Sequence, residues 1–444
     1  MKHRLNQKID GCIQKVKRVV RSMPQVIFQY PQTRPKNQRN PDSRNPRVML
    51  VGRNYVSNLC LARSFGKAGY EVEVLNIREE MPIYWRLLGM LHPDAYSKYV
   101  KAYYVCVIKG ESRNLVNRLR ELADPKRKML LISADDLSVS IADEYYDELK
   151  EFYLISNIDG RAGEINRLMN KRTQMELAIE VGLPVIDSCM IRSSEGRFEI
   201  PETVKYPCFI KPNISKNGSK THLQRCNNRD ELYNALANLA KQHDFEIKIE
   251  DFVDIRREYS ILGLSTKDTV IAPGFFGVDV GGNGGWKGVA ISGRVLPRSE
   301  QNVFIDHVCR FIKTLKYEGL FDVDLIEDMD GTIYFVELNL RYGGSGYAIT
   351  ESGVNLPGMF ADYMLMNKPV DVDCCVQPGK TFVNERVVMD CYNDGYLSFA
   401  QMKEFMKNAD IHFIYDKADS AAYQCFKTLA YMKTLKKVFF INKQ

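Results

Sequence analysis

From Arg47 onward the chain alternates short apolar runs with amphipathic stretches. Val48-Met49-Leu50-Val51 is an unbroken apolar run closed by a polar turn from Gly52 to Asn58, the pattern of a strand buried on both faces. Leu59 to Ala68 reads as a helix stopping at Gly69, and Glu71-Val72-Glu73-Val74-Leu75 as a second strand. Strand, helix and strand in that order imply a parallel pair with a right-handed crossover. Met129 to Ser133 is another strand, followed by Ala134-Asp135-Asp136 and a helix running into Leu149. The pattern predicts a small α/β domain over residues 47–165. A dinucleotide fingerprint is missing, because Gly52-Arg53-Asn54-Tyr55-Val56-Ser57 stands where GxGxxG is needed.

Beyond Asn166 the pattern is mixed. A helix from Lys171 to Val181 stops at Gly182 with Pro184 following, the usual end of a helix. Strands are predicted at Cys208–Lys211, Glu246–Phe252, Tyr259–Leu264, Val270–Phe276, Phe321–Ile326 and Thr332–Leu338, with helical stretches at Asp230–Lys241 and Gln301–Leu315. Residues 166–368 therefore read as an α+β domain. Residues 369–444 carry no motif and are set apart as a C-terminal extension.

Phe321 to Arg341 carries the most chemistry. Asp330-Gly331 between two apolar-rich runs predicts a two-residue hairpin turn. If Met329 pairs with Thr332, Asp324 lies opposite Glu337 and Asp322 opposite Asn339. The period of two then gathers all four on one face. Like charges directly opposite cost a few tenths to about 1 kcal/mol. A divalent cation with oxygen ligands offsets that cost, whereas a solvated acidic face merely tolerates it. An odd-length loop with a bulge would break the alignment.

Composition narrows the class. With 45% hydrophobic and 26% charged residues the chain folds, which excludes disorder throughout. No stretch approaches the roughly 18 apolar residues of a membrane span. Eleven cysteines, none at zinc-ligand spacing, fit free thiols in a reducing cytoplasm. The net charge of +7 is a property of one end: residues 1–47 hold 12 Lys and Arg against 2 Asp and Glu, leaving 50 against 53 elsewhere. In that tail Ile9, Cys12, Ile13, Val16, Val19, Val20 and Met23 recur at helical spacing beside Lys15, Lys17, Arg18 and Arg21. Residues 1–46 thus read as a basic amphipathic helix ended by Pro24, then a linker. The helix over residues 1–23 either docks on protein or lies on an anionic membrane, and Ala422 to Phe440 has similar character. Interleaved aromatics and recognition motifs for nucleic acid are missing, so no nucleic-acid partner is expected.

The acidic hairpin and the lysines ahead of it resemble the ATP-grasp superfamily, in particular its carboxylate-amine ligases, over residues 47–365. Glu337-Leu338-Asn339-Leu340-Arg341 matches the metal signature of that family, with Asp324 on the preceding strand. The resemblance implies an α/β pre-ATP-grasp domain followed by an α+β ATP-grasp domain of two subdomains. It implies ATP and two Mg2+ ions, with Mn2+ as a substitute, held by Asp324, Glu337 and Asn339. Lys171 in Asn170-Lys171-Arg172 and Lys211 in Cys208-Phe209-Ile210-Lys211-Pro212 match the two phosphate-binding lysines. A cation at a helix N-terminus or leaving a buried strand also asks for an anion on physical grounds. Glu250-Asp251-Phe252-Val253 and Glu258 resemble the hinge, which makes Asp251, Val253 and Glu258 nucleotide-binding candidates. Lys211 and Arg341 are the candidate catalytic residues, Arg341 for phosphate or a substrate carboxylate. Asn213 to Lys220 could close over phosphates, and Gly281 to Gly288 could cover the site.

The implied activity is ATP-dependent C–N ligation, in which a carboxylate becomes an acyl phosphate that an amine attacks. D-aspartate ligases are the relatives nearest in organisation, which points to cell-envelope or polysaccharide synthesis. The substrates are small carboxylates and amines, and a homodimer in the cytoplasm or at the inner face of the membrane is compatible with this reading. A nucleotide-binding regulator or scaffold of the same fold is the alternative. Membrane docking of the tail has a direct test: the protein is expected to pellet with acidic liposomes and to stay in solution after deletion of residues 1–46. Unchanged pelleting of the deletion would rule out the tail as the anchor.

Overall fold

A computed structural model of the chain describes residues 45–78, 92–124, 126–212, 224–240, 246–282 and 289–440. The basic helix expected over residues 1–23, most of its linker, the polar loop from Asn213 to Lys220 and Asn283 to Gly288 lie outside these.

The first unit is a five-stranded parallel sheet. Its strands are β1 (Arg47–Gly52), β2 (Glu71–Arg78), β3 (Val100–Val107), β4 (Met129–Ser133) and β5 (Tyr153–Ile155), in the order β3-β2-β1-β4-β5. All six residues of β1 are buried, as both faces of a central parallel strand must be. Helix α1 (Tyr55–Lys67) makes the first crossover and starts where the Asn54 side chain accepts from Val56 N–H. Helices α2 (Ser112–Leu122) and α3 (Asp136–Glu144) make later ones. A two-stranded pairing joins β6 (Asn157–Ile158) to the rest of the molecule. The expected α/β domain is present.

Helix α4 (Lys171–Glu180) opens the second unit, which holds two sheets. The smaller contains β7 (Ser188–Arg192), β8 (Cys208–Pro212), β9 (Gln224–Cys226) and β10 (Glu246–Asp251), ordered β7-β10-β8-β9 and antiparallel. Ile210, Ile247 and Ile249 bury one face of it against Leu232 and Leu236 of α5 (Arg229–Ala240). The period of two leaves Phe209, Lys211, Lys248 and Glu250 on the other face.

The larger sheet contains β11 (Ile255–Ser265), β12 (Val270–Ile271), β13 (Gly274–Gly281), β14 (Ala290–Pro297), β15 (Tyr317–Asp328), β16 (Ile333–Asn339), β17 (Thr381–Val383) and β18 (Ile411–His412). Its main path runs β16-β15-β11-β13-β14-β17-β18. Helix α6 (Asn302–Thr314) packs Ile305, Val308, Phe311 and Ile312 against Phe321, Val323 and Leu325 on one face. On the other face Leu262, Leu264 and Leu320 share a core with Leu59 and Phe65 of the parallel unit. Two neighbouring layers thus leave one end of that second face for polar residues.

Three expectations change. The strand expected over Val270–Phe276 is interrupted at Pro273, which has no N–H for a ladder. Residues 369–444 are not an appendage, because β17 pairs with β14 and carries β18 at the sheet edge. The last helix, α9 after α7 (Leu356–Met366) and α8 (Glu385–Asn393), spans Ser420–Phe440 and buries Ala422, Cys425, Phe426 and Leu429 in the shared core. Those apolar positions are therefore spent on the protein's own body and not on a membrane. No helix among the described residues is long and apolar enough to cross one.

A buried ion pair ties this C-terminal segment down. Arg63 Nε donates to Asp419 Oδ2 at 3.0 Å, and its two other nitrogens donate to the carbonyls of Phe413 and Ile414 at 3.1 and 2.9 Å. Ser97 Oγ and Lys98 N–H satisfy the rest of the Asp419 carboxylate at 2.7 and 2.8 Å. Asp419→Asn leaves a guanidinium buried without its counter-charge, and an unfolding titration is expected to show a loss of about 3–5 kcal/mol. A change below about 0.5 kcal/mol would show that the pair does not hold the segment.

Candidate active site

The acidic hairpin is built differently from its sequence expectation, yet presents the same face. Asp328 pairs with Thr332 just ahead of β16, which leaves a three-residue loop, Met329, Asp330 and Gly331, where Asp330-Gly331 predicts a two-residue turn. Asp328 N–H donates to Thr332 O at 3.0 Å, and Asp328 Oδ1 accepts from the N–H groups of Asp330 and Thr332 at 3.0 and 2.8 Å. Gly331 takes φ +88°, the left-handed position of such a loop. The odd loop pairs Leu325 with Phe335 and Glu327 with Ile333, one residue off the expected register. Continued unbroken, that register turns Glu337 toward the α6 core. A bulge at Val336 adds one residue to β16 and restores the pairs Asp324 with Glu337 and Asp322 with Asn339.

The face so formed is half-buried, with Asp322 at its buried end, and short of positive charge. Ser260, opposite Asp324 on β11, places its hydroxyl between the acids, against Asp322 Oδ1 and 3.1 Å from Asp324 Oδ1. Asn339 Nδ2 donates to Asp324 Oδ2 at 3.2 Å. Burial, and then the charge of Asp324, push the Asp322 carboxyl up to about 7. Burial and Glu337 raise Asp324 as well. Arg341 follows the strand and donates through Nε to Asp136 Oδ1 at 2.6 Å and through Nη2 to Asn339 Oδ1 at 3.2 Å. Burial opposes its charge, but Asp136 and Asp322 hold the guanidinium firmly protonated. The chain then passes so close that a Cβ on Gly343 would lie 2.7 Å from Asp322 Oδ2, which accounts for glycine there.

The expected lysines reach this region from two elements. Lys171 is the first residue of α4, whose N-terminus is capped by the Asn170 side chain accepting from Arg172 and Thr173 N–H at 3.0 and 3.3 Å. Its ammonium lies 3.5 Å from Glu337 Oε1. Lys211 leaves the open face of β8 and pairs with Glu250 Oε2 at 2.6 Å. Buried Gln174 on α4 fixes the edge strand, donating to Leu338 O and accepting from Leu338 N–H, both at 2.8 Å.

The hinge candidates divide. Glu258 shares a face of β11 with Ser260, two residues along the strand, while Val253 lies in the connection from β10. The Asp251 carboxylate is taken by Lys205 Nζ at 2.8 Å, on the face of β10 opposite Lys211 and Glu250. Its backbone N–H donates to Asp187 O at 2.9 Å, so the carbonyl is the Asp251 group that could serve a nucleotide.

Lys248, Glu250, Ser260, Asp136 and Gln174 escaped sequence reading. Alternation along Glu246-Ile247-Lys248-Ile249-Glu250 was a usable signal for the first two. Nothing local marks Ser260, Asp136 or Gln174, whose partners are distant in the chain.

Among the described residues no three His, Cys, Asp or Glu side chains converge into a metal cage by themselves. Asp324, Glu337 and Asn339 form instead a partial oxygen set on one face. Mg2+ is bound in this way, through one or two carboxylates with phosphate and water completing the shell. The raised Asp322 and Asp324 carboxyls are acids whose charged form a cation would favour, so the residues present fit the ion.

Comparison with known proteins bears on the fold that carries this face. Residues 177–349 match the model of the D-ala D-ala ligase C-terminus. The chain is 23% identical over 300 residues to the D-aspartate ligase of Enterococcus faecium (strain Aus0004), covering 63% of this chain and 70% of that one. Among solved structures, the L-amino acid ligase from Bacillus licheniformis aligns with a TM-score of 0.56 at 17% identity, over 76% of this chain and 79% of its own. An ADP complex of N5-carboxyaminoimidazole ribonucleotide synthetase aligns with a TM-score of 0.58 at 15% identity, over 88% and 98%. At these identities the structural likeness establishes the fold.

The raised acid gives a test of the site's electrostatics. Asp322 holds its proton to about 7 in the fold against 3.8 in the open chain. Its contribution to stability is full below the lower value and is lost as pH rises through the higher one. In metal-free protein Asp322→Asn is expected to raise the thermal midpoint near pH 8 and change it little near pH 4. A midpoint lowered equally at both pH values would contradict the assignment.

Proposed function

We propose, on the premise that this chain belongs to the ATP-grasp superfamily, that it is an ATP-dependent ligase joining a carboxylate to an amine through an acyl phosphate. The observation that carries the reading is the bulged hairpin, which turns Glu337 onto the face of Asp324 and Asn339 beneath Lys171. Asp324, Glu337 and Asn339 would hold Mg2+, which when bound neutralises charge on phosphate oxygens. Lys171 and Lys211 bind the phosphates. Backbone at Asp251 and Val253 reads the base, and Glu258 accepts from the ribose. Arg341, held by Asp136, orients the anionic group that reacts.

A substrate carboxylate oxygen attacks the γ-phosphorus, and the bond from that phosphorus to ADP breaks. The amine nitrogen then attacks the acyl carbon, phosphate leaves with the bonding pair, and the amine proton passes to water. Positioning and charge carry such a reaction, so the site requires no nucleophilic Ser, Cys or His. The D-aspartate ligase and L-amino acid ligase among the similar proteins support an amino acid as one of the two substrates.

ATP turnover with hydroxylamine across a panel of carboxylates is expected to yield hydroxamate. Hydrolysis without hydroxamate would favour the non-catalytic nucleotide-binding module instead. Glu337→Gln and Lys211→Ala are each expected to lower turnover by about 10²-fold or more with the fold intact. Near-normal rates in both would overturn the residue assignments.

A further inference from the structure

Lys248 belongs to none of the roles above, yet it sits in the middle of the cation cluster. It stands directly opposite Lys211 in the pairing of β10 with β8. Both ammoniums grip one carboxylate: Lys211 Nζ lies 2.6 Å from Glu250 Oε2, and Lys248 Nζ 2.6 Å from Oε1. Lys248 is 2% exposed and Glu250 5%. A carboxylate buried so deeply requires a counter-charge continuously. Without Lys248, Lys211 could not leave Glu250 for a phosphate without stranding it.

We propose that Lys248 is a positioning residue that keeps Glu250 neutralised and so releases Lys211 to the nucleotide phosphates. The inference rests on the nucleotide site assigned above and adds to it a reason for the third lysine. As an anion arrives, Lys211 exchanges one carboxylate for phosphate oxygens while the Lys248–Glu250 pair remains whole. No charge is uncovered at any stage.

The surroundings of Lys248 make this release sensitive to pH. Charged groups facing it are Glu250 on its own strand, Lys211 on β8 and Lys171 on α4. On β7 its opposite neighbour is Met190, and the next charge there, Arg192, pairs with Glu246 of β10 at 2.7 Å. Burial, with Lys211 and Lys171 adding to it and Glu250 opposing, brings the Lys248 ammonium down to about 8. Above that pH the neutral amine no longer balances Glu250, which then retains Lys211. Phosphate binding favours the charged form, so affinity is full below about 8 and falls as pH rises through it.

The test is binding of a non-hydrolysable ATP analogue with Mg2+ to the full chain, by calorimetry near pH 7 and near pH 9. Wild-type affinity is expected to fall roughly tenfold across that interval. Lys248→Met is expected to bind near pH 7 as weakly as wild type binds near pH 9, and to lose the pH dependence. Lys248→Arg, which stays charged, is expected to keep the higher affinity at both pH values. Wild-type affinity and an unchanged pH profile in Lys248→Met would overturn the proposal. If Lys248→Met fails to fold, Lys248→Arg decides alone, since an alkaline loss persisting in it has the same force. Wild type that binds no nucleotide at either pH would instead remove the ligase reading, and this inference with it.

Discussion

Val336 adds one residue to an edge strand, and on that residue the charge arrangement of the site depends. Without it, Glu337 would follow Phe335 into the core packed by α6, and Asp324 would face a valine. With it, carboxylates from neighbouring strands share a half-buried face. An edge strand is the easiest place to insert such an irregularity, because only one neighbour must accommodate it. It is also the easiest place to lose it by fraying. Gln174 counters that by occupying both backbone groups of Leu338 at once.

The site then becomes a problem of charge balance between two sheets. The larger sheet surrounds its acids with little positive charge, and burial raises the carboxyls of Asp322 and Asp324. The smaller sheet places Lys211 and Lys248 on a single buried acid, Glu250, whose carboxyl they hold low against the effect of burial, and α4 adds Lys171 beside Glu337. Each side is unbalanced alone, in opposite senses. In the function we propose, a metal-bound polyphosphate would supply both signs together, its cation to the acids and its phosphates to the lysines.

The parallel unit and the C-terminal segment stabilise this arrangement from behind. Asp136, at the start of α3, anchors Arg341 across the boundary between the units, so the first domain takes part in the site's geometry. The Arg63–Asp419 pair holds the C-terminal chain against α1. One apolar core runs through the parallel sheet, the larger sheet and α9. A residue range that looks separable along the chain is therefore continuous in space.

The sequence by itself determined the parts governed by local rules: β1, α1, β2, β4 and α3 of the first domain, the position of Lys171 at a helix start, and Asp322, Asp324, Glu337 and Asn339 as one set; β3, α2 and β5 were not marked in it. Strand periodicity and helix capping act over a few residues and leave a readable pattern. The facing of those acids survived only because two local errors cancelled, a three-residue loop where two residues were expected and a bulge that restored the offset. Neither leaves a local mark, since each depends on how the strand ends pack. Tertiary structure alone decided that Lys248 meets Lys211 over Glu250, that Gln174 clamps Leu338, and that Ala422, Cys425, Phe426 and Leu429 of the last helix are buried in the core. Those outcomes depend on contacts between segments far apart in the chain, where burial converts an ordinary lysine or glutamine into one whose partner is obligatory.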